Sequence, residues 1–256
     1  MKIVVVIRQL PDLIEPLVLN AAGSSLDYGE TTFLVNEYDD HALEQAVLLK
    51  EQSHASVTVI ALDFGDVDST LYTAAAKGVD QIIKIPYEDE KPPSPRIAAA
   101  LLANVIRDLQ PDLILAGVQS YEELDGTFTP LLAHALQFPY VGLIQGVECS
   151  GDESVAAFKE FPGAAKARMK IRLPAVLGIL TASQPPRYVP ISRVRAAMKS
   201  TQFEEIDVPF PSLAPKIRLE KFYPPKTGVR AEMIEGNDSE IAGRFVQLLT
   251  EKGVLK

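Results

Sequence analysis

The residues with the clearest chemical use lie between Pro111 and Pro130. The string PDLILAG reads as a short buried strand closing on Gly117, and Gly117-Val118-Gln119-Ser120 leaves its carboxyl end, where open α/β sheets bind ligands. Asp125-Gly126 then turns tightly into a helix whose first amides belong to Thr127, Phe128 and Thr129. Free amides at a helix N-terminus, with the helix dipole behind them, make a natural phosphate cradle. The same string has a purely structural reading: a DG turn, an N-capping Thr127, and core positions for Phe128 and Leu131. Glu122 and Glu123 oppose a bare anion site unless they point away from it.

Other chemistries find less support. The three histidines, His41, His54 and His134, lie in different elements and lack companions at metal-ligand spacing, so surface or packing roles are expected of them. The single cysteine, Cys149, excludes an intramolecular disulfide and a CxxC pair, and points to a reducing, cytoplasmic compartment. No GxSxG elbow supports a serine hydrolase, no GxGxxG follows the first strand, and no GxxxxGK[ST] occurs. Gly23-Ser24-Ser25-Leu26-Asp27 faintly resembles the pyrophosphate loop of ATP pyrophosphatases, but it comes late after the first strand and no amphipathic helix follows.

The elements that must position the Gly117 loop are legible as alternating patterns. Ile3 to Ile7 is apolar and β-branched throughout, as in a parallel strand buried on both faces. NEYDDHALEQAVLLKEQ has helical spacing at Ala42, Ala46 and Leu49, SVTVIALDF reads as a strand, and DVDSTLYTAAAKG as a helix with Asp66 near its start and Gly78 past its end. QIIKI is a strand, and Ser94-Pro95 is a cap and first-turn pair for RIAAALLANVIRDL. Strands alternating with helices through residue 140 predict a three-layer αβα domain with a mostly parallel sheet.

VGLIQGVEC, SVAAFKE, AKARMKIRL and AVLGIL then read as antiparallel strands added to one edge. From Thr181 the chain is Pro-rich and irregular through SQPPRYVPISRVRAAMKS and VPFPSLAPK, and a last helix starts near Asn237. The division expected is residues 1–185 as the α/β domain and 186–256 as a recognition loop, a partner-embracing arm and a C-terminal helix. The chain has 256 residues, 47% of them hydrophobic, enough for a full core. Its formal charge of -9 disfavours nucleic acid and anionic lipid, and no segment is apolar for long enough to insert in a membrane.

Six strings, taken in order, carry a resemblance. Arg8-Gln9-Leu10-Pro11-Asp12 is similar to a K/R-Q-x-P-D turn, and Asn36-Glu37-Tyr38-Asp39 followed by ALEQAVLLKE to an Asn-x-x-Asp turn leading into a helix. Ala75 to Asp80 matches A-x-G-x-D, Pro111 to Gln119 matches PDL-x-L-x-G-x-Q, Leu173 to Val176 matches LPAV, and Pro186-Arg187-Tyr188 matches P-R-Y. Together they resemble the β subunit of electron transfer flavoproteins, of adenine nucleotide α-hydrolase-like fold. The resemblance implies an electron carrier, not a stand-alone enzyme, paired with an α subunit that holds most of a shared FAD. Electrons would come from a flavin dehydrogenase of acyl-CoA type and leave to a second oxidoreductase or a quinone-linked acceptor.

It also implies an adenine nucleotide in this chain, enclosed by Val6, Asn36, Glu37, Tyr38, Asp39, Phe64, Gly65, Gly117, Gln119, Gly126, Thr127, Phe128 and Thr129. AMP is the usual ligand, and a second FAD replaces it in electron-bifurcating members. Arg187, Tyr188 and Ile191 fall in the stretch by which the family docks on dehydrogenases, Ile191 as its apolar anchor. This sequence departs from the family in three places, one of them Arg193-Val194-Arg195-Ala196-Ala197-Met198-Lys199 where the docking loop usually ends Lys-rich. Ser183-Gln184-Pro185 replaces the usual Asn-Glu before Pro-Arg-Tyr, and Glu122 to Pro130 carries Thr129 where both nucleotide-loop forms carry Gly. An emptied site therefore stands beside AMP and FAD, should Phe128 and Thr129 fill the phosphate's space. From other classes, a stand-alone universal-stress-type nucleotide-binding regulator and an adenylating enzyme share the sheet.

Overall fold

The computed structural model describes all residues except 30, 66, 90, 124, 152, 214–219, 224–227, 229–230 and 256. Asp66, Leu124 and part of VPFPSLAPK thus lie outside the described residues. Strand β1 (Lys2–Ile7) leads into a short β2 (Gln9–Pro11) that pairs antiparallel with β3 (Phe33–Val35). Helix α1 (Glu37–Ser53), β4 (Ser56–Asp63), α2 (Val67–Lys77), β5 (Gln81–Pro86), α3 (Pro95–Leu109), β6 (Leu113–Gly117) and α4 (Phe128–Leu136) then alternate. After them come β7 (Tyr140–Cys149), β8 (Ser154–Phe161), β9 (Ala165–Arg172), β10 (Ala175–Ile179), α5 (Ile191–Ser200), β11 (Glu204–Glu205) and α6 (Asp238–Glu251).

Nine strands form one sheet in the order β11-β5-β4-β1-β6-β10-β7-β8-β9. The alternation within β1 divides the core. Ile3, Val5 and Ile7 join α1 and α2 on one face, while Val4 and Val6 join α3 and α4 on the other, which makes the three-layer αβα sandwich. The expected caps are present at α3, where Ser94 accepts from the Ile97 amide at 3.4 Å ahead of Pro95. Gly78 ends α2 at φ +105, a conformation that costs glycine nothing.

Two readings are corrected. AVLGIL is not an added antiparallel edge strand: β10 lies inside the sheet, parallel to both β6 and β7, and only β8 and β9 extend it antiparallel. All five β10 residues are buried, and a strand covered on both faces reads as continuous apolar sequence. The stretch after Pro190, expected to be irregular, holds the ten-residue helix α5.

The chain forms two compact units, residues 1–221 and 222–256. The first runs beyond residue 185 because α5 packs on α2, Tyr72 meets Phe203 with ring centroids 4.6 Å apart, and β11 pairs with β5. In the second, α6 starts just after Asn237, where the sequence placed a helix start; Asn237 caps it through a capping box with Glu240, and α6 buries none of its residues.

The sheet changes direction of build at β1. β4 pairs along one side of it and β6 along the other, both parallel, so the carboxyl ends of β1 and β6 flank the crevice of a doubly wound sheet. The first turn of α1 closes on this point. A Cβ at Gly117 would stand 2.5 Å from Asp39 Oδ1, 2.6 Å from Tyr38 Cβ and 2.8 Å from the Asp39 amide. Gly117→Ala is expected to lower stability by about 1–3 kcal/mol, since backbone has to move to admit the methyl. Urea unfolding is the check, and a midpoint equal to wild type would mean that the approach of α1 to β6 is loose.

Candidate functional site at the strand switch point

Arg8, the residue after β1, reaches across the crevice. Its Nε donates to Asp39 Oδ2 at 2.9 Å, and its Nη2 donates to Asp39 Oδ1 at 3.0 Å and to the Gly117 carbonyl at 3.1 Å. Nη1 donates to Glu123, and the Arg8 plane lies 4.7 Å over the centroid of the Phe128 ring. The Asp39 carboxylate also accepts from the Arg8 amide at 3.0 Å and the Gly117 amide at 2.6 Å. Its side chain is fully buried and that of Arg8 is 16% exposed, so this pair exists only because both members are hydrogen-bonded on several sides. Burial alone would lower the Arg8 pKa, but the Asp39 and Glu123 carboxylates outweigh it and raise it.

The loop after β6 folds down on this pair. Asn36, at the N-cap of α1, spends its side chain on the Gln119 carbonyl at 2.9 Å, and Tyr121 donates its hydroxyl to the Pro11 carbonyl. At the start of α4, Thr127 makes no side-chain cap. Glu123 does that work: its Oε2 accepts from the Phe128 amide at 2.9 Å while Oε1 pairs with Arg8. Thr129 is buried and donates its hydroxyl to the Gly117 carbonyl at 2.9 Å. Gly126, at φ +60, has its Cα side against the Val118 carbonyl, which leaves no space for a side chain.

Of the residues expected to enclose a nucleotide, Asn36, Asp39, Gly117, Gln119, Gly126, Phe128 and Thr129 are brought together here. Glu37, Tyr38 and Thr127 flank them in chain positions beside this cluster. Val6 is buried in the core under α3 and α4, so only its backbone faces the strand end. Phe64 and Gly65 follow β4 and join an aromatic group. Phe33 packs on Gly65 so closely that a Cβ there would be 2.8 Å from the ring, and it meets Phe64 edge-on at 5.7 Å. Tyr28 meets Phe64 at 5.3 Å and Tyr87 meets it at 6.1 Å. Burial, with the nearby Glu122 charge, pushes the Tyr28 hydroxyl up to about 12.

Sequence reasoning missed Arg8 and Glu123 as members of the site. Arg8 was visible as the one cation directly after a buried apolar strand, and Glu123 as a carboxylate ahead of a helix start; Glu123 points inward. The histidines have structural work: His41 Nδ1 accepts from the Ala182 amide at 3.2 Å, and His54 caps α1 in the left-handed conformation. No group of His, Cys, Asp or Glu among the described residues is arranged to hold a metal ion.

The segment from Ala182 to Arg187 is organised by α1. Arg187 donates from its amide and Nε to Glu44 at 2.9 Å each, and from Nη1 to Glu51 at 2.6 Å. Hydrogen bonds that Arg187 donates to Glu51, with Glu44 adding to them against partial burial, raise the Arg187 pKa. Gln45 holds Ser183 at 2.9 Å. Arg187 is thus an anchor of the segment, and beyond it Tyr188 is 83% exposed and Ile191 66% exposed.

Fold and crevice together define an open α/β protein of the kind that uses a switch-point crevice. The chain matches the electron transfer flavoprotein domain over residues 28–211 and belongs to the electron transfer flavoprotein family. It is 29% identical to the electron transfer flavoprotein subunit beta of Methylophilus methylotrophus over 98% of both chains, and 27% identical to that of Bacillus subtilis over 97% of both. It is also 23% identical, over the whole of both chains, to the acryloyl-CoA reductase electron transfer subunit gamma of Anaerotignum propionicum. No described helix is long and apolar enough to cross a membrane.

Two outcomes follow from this geometry. Asp39→Asn removes the fully buried member of the ion pair and leaves Arg8 with Glu123 alone of its two carboxylate partners, and is expected to cost about 3 kcal/mol in urea unfolding; a loss below about 0.5 kcal/mol would deny Asp39 its central role. For pH, desolvation pushes Glu122 up from 4.5 to about 7, with Arg8 opposing and Glu123 assisting. A carboxyl raised on folding binds more protons folded than unfolded, so its contribution to stability falls as pH rises from 4.5 to about 7. Glu122→Gln removes that fall. The variant should gain on wild type between about pH 5 and pH 8, by less than about 1 kcal/mol because the exposed surface of Glu122 screens the charge. A difference that shrinks with pH would contradict this assignment.

Proposed function

We propose that this chain is the β subunit of a two-chain electron carrier in which FAD sits at the interface with an α subunit. The observation that carries this reading is the extent of the alignments. They cover 97–98% of this chain and of the Methylophilus and Bacillus β subunits, C-terminal unit included. The shape of that unit supports a partner. α6 leaves Phe245 and Val246 more than half exposed, and an amphipathic helix gains its stability by covering such a face. The flavin supplies the redox chemistry, and this chain braces, orients and docks, so no acid, base or nucleophile is required of it.

The donor in this proposal is a flavin dehydrogenase of acyl-CoA type, and the acceptor a second oxidoreductase or a quinone-linked one. Tyr188 and Ile191 carry the contact with the donor. Both stand clear of the surface on a segment whose base Arg187 fixes to α1, and Met198, about two turns along α5 from Ile191, is 54% exposed. A bulky apolar group on a fixed base is suited to fill a pocket on the donor. The same resemblance implies AMP, or a second FAD, in the crevice of this chain, and the side chains already there bear on that.

Co-expression with a candidate α subunit tests the proposal. A heterodimer with one FAD that an acyl-CoA dehydrogenase reduces is the expected result, and a complex without flavin would overturn it. Ile191→Asp is expected to slow reduction by the donor about tenfold or more while the flavin absorbance of the heterodimer is retained. An unaltered rate would remove Ile191 from the contact.

A further inference from the structure

We infer that the switch-point crevice is filled by the chain's own side chains, so that this subunit carries no resident adenine nucleotide. The inference rests on the β-subunit reading but turns on separate observations after β6, with a further one after β4. At the phosphate end, a nucleotide would need the first amide of α4 and a cation. The Phe128 amide already donates to Glu123 Oε2 at 2.9 Å, and Arg8 is committed to Asp39, Glu123 and the Gly117 carbonyl. A carboxylate thus stands where a phosphate would, meeting the same helix dipole and the same guanidinium. An incoming phosphate would have to displace it and then face two acidic side chains, Glu122 and Glu123, as well as buried Asp39.

Thr129 closes the adjoining space. Its buried side chain is held on the Gly117 carbonyl at 2.9 Å, directly at the end of β6, where glycine would leave room for an oxygen of a ligand. Beyond β4, the Phe33 ring lies on Gly65 and against Phe64, which gives these aromatic rings a partner within the chain. The loop after β6 is fastened over the crevice at three points: Asn36 to Gln119, Tyr121 to Pro11, and Arg8 to Glu123. A carboxylate and a guanidinium of the chain therefore take the places that a phosphate and its cation would need at the start of α4.

The test is nucleotide analysis of the heterodimer purified with its α subunit, denatured, with FAD read by absorbance and AMP, ADP and ATP by mass spectrometry. One FAD and no adenine mononucleotide is the expected result. One FAD with stoichiometric AMP, or two FAD, would overturn the inference and leave the electron-carrier reading standing. No flavin and no nucleotide would overturn that reading and leave the crevice inference standing, and no flavin with bound AMP or ATP would overturn both. A second measurement addresses Glu123 directly. Adding about 10 mM AMP or inorganic phosphate should leave the thermal midpoint of the wild-type heterodimer unchanged and raise that of Glu123→Ala, in which the cradle is vacated. A rise of the wild-type midpoint with AMP would count against the inference even if Glu123→Ala failed to fold.

Discussion

The buried pair of Asp39 and Arg8 is the constraint on which the functional end of this molecule depends. A carboxylate with no solvent exposure is tolerated only if it is fully hydrogen-bonded, and Asp39 accepts from the Arg8 side chain, the Arg8 amide and the Gly117 amide. Those partners belong to the exit of β1 and the end of β6, and Asp39 itself to the first turn of α1. Satisfying one charge therefore fixes the relative placement of three elements, and it requires glycine at 117 because α1 approaches the strand end too closely for a Cβ. The negative charge also lies in the first turn of a helix, where its dipole favours it.

From this point two chains of interaction extend in opposite directions along α1. Toward the crevice, Arg8 holds Glu123, Glu123 caps α4, and α4 packs with α3 beneath the sheet. Away from it, His41, Glu44, Gln45 and Glu51 hold the segment from Ala182 to Arg187, and so set the base from which Tyr188 and Ile191 project. One helix thereby connects the crevice to the exposed Tyr188 and Ile191.

Much was determined by the sequence itself. β1, α3 and β6 were legible because each obeys a local rule: an apolar run for a strand buried on both faces, a Ser-Pro start and apolar stripe for a helix, and a glycine where the strand ends. The turn strings around Arg8, Asn36 and Gly117 pointed to the electron transfer flavoprotein family, and the end of the Pro111–Gly117 strand was marked as the place for a site before any contact was known.

What only the tertiary structure decided concerns direction and partner. Ala175–Ile179 could be read as an edge strand because strand order is set by contacts distant in the chain, and its insertion between β6 and β7 depends on both faces finding cover. Glu123 could have pointed to solvent or to the helix; it turns inward because Arg8, 115 residues earlier, supplies a charge there. Phe33 and Gly65 gave no sign of meeting, since neither shares a local pattern with the other. Local periodicity encodes which face of an element is apolar, whereas the pairing of buried charges and rings depends on which elements the fold brings to the same strand ends.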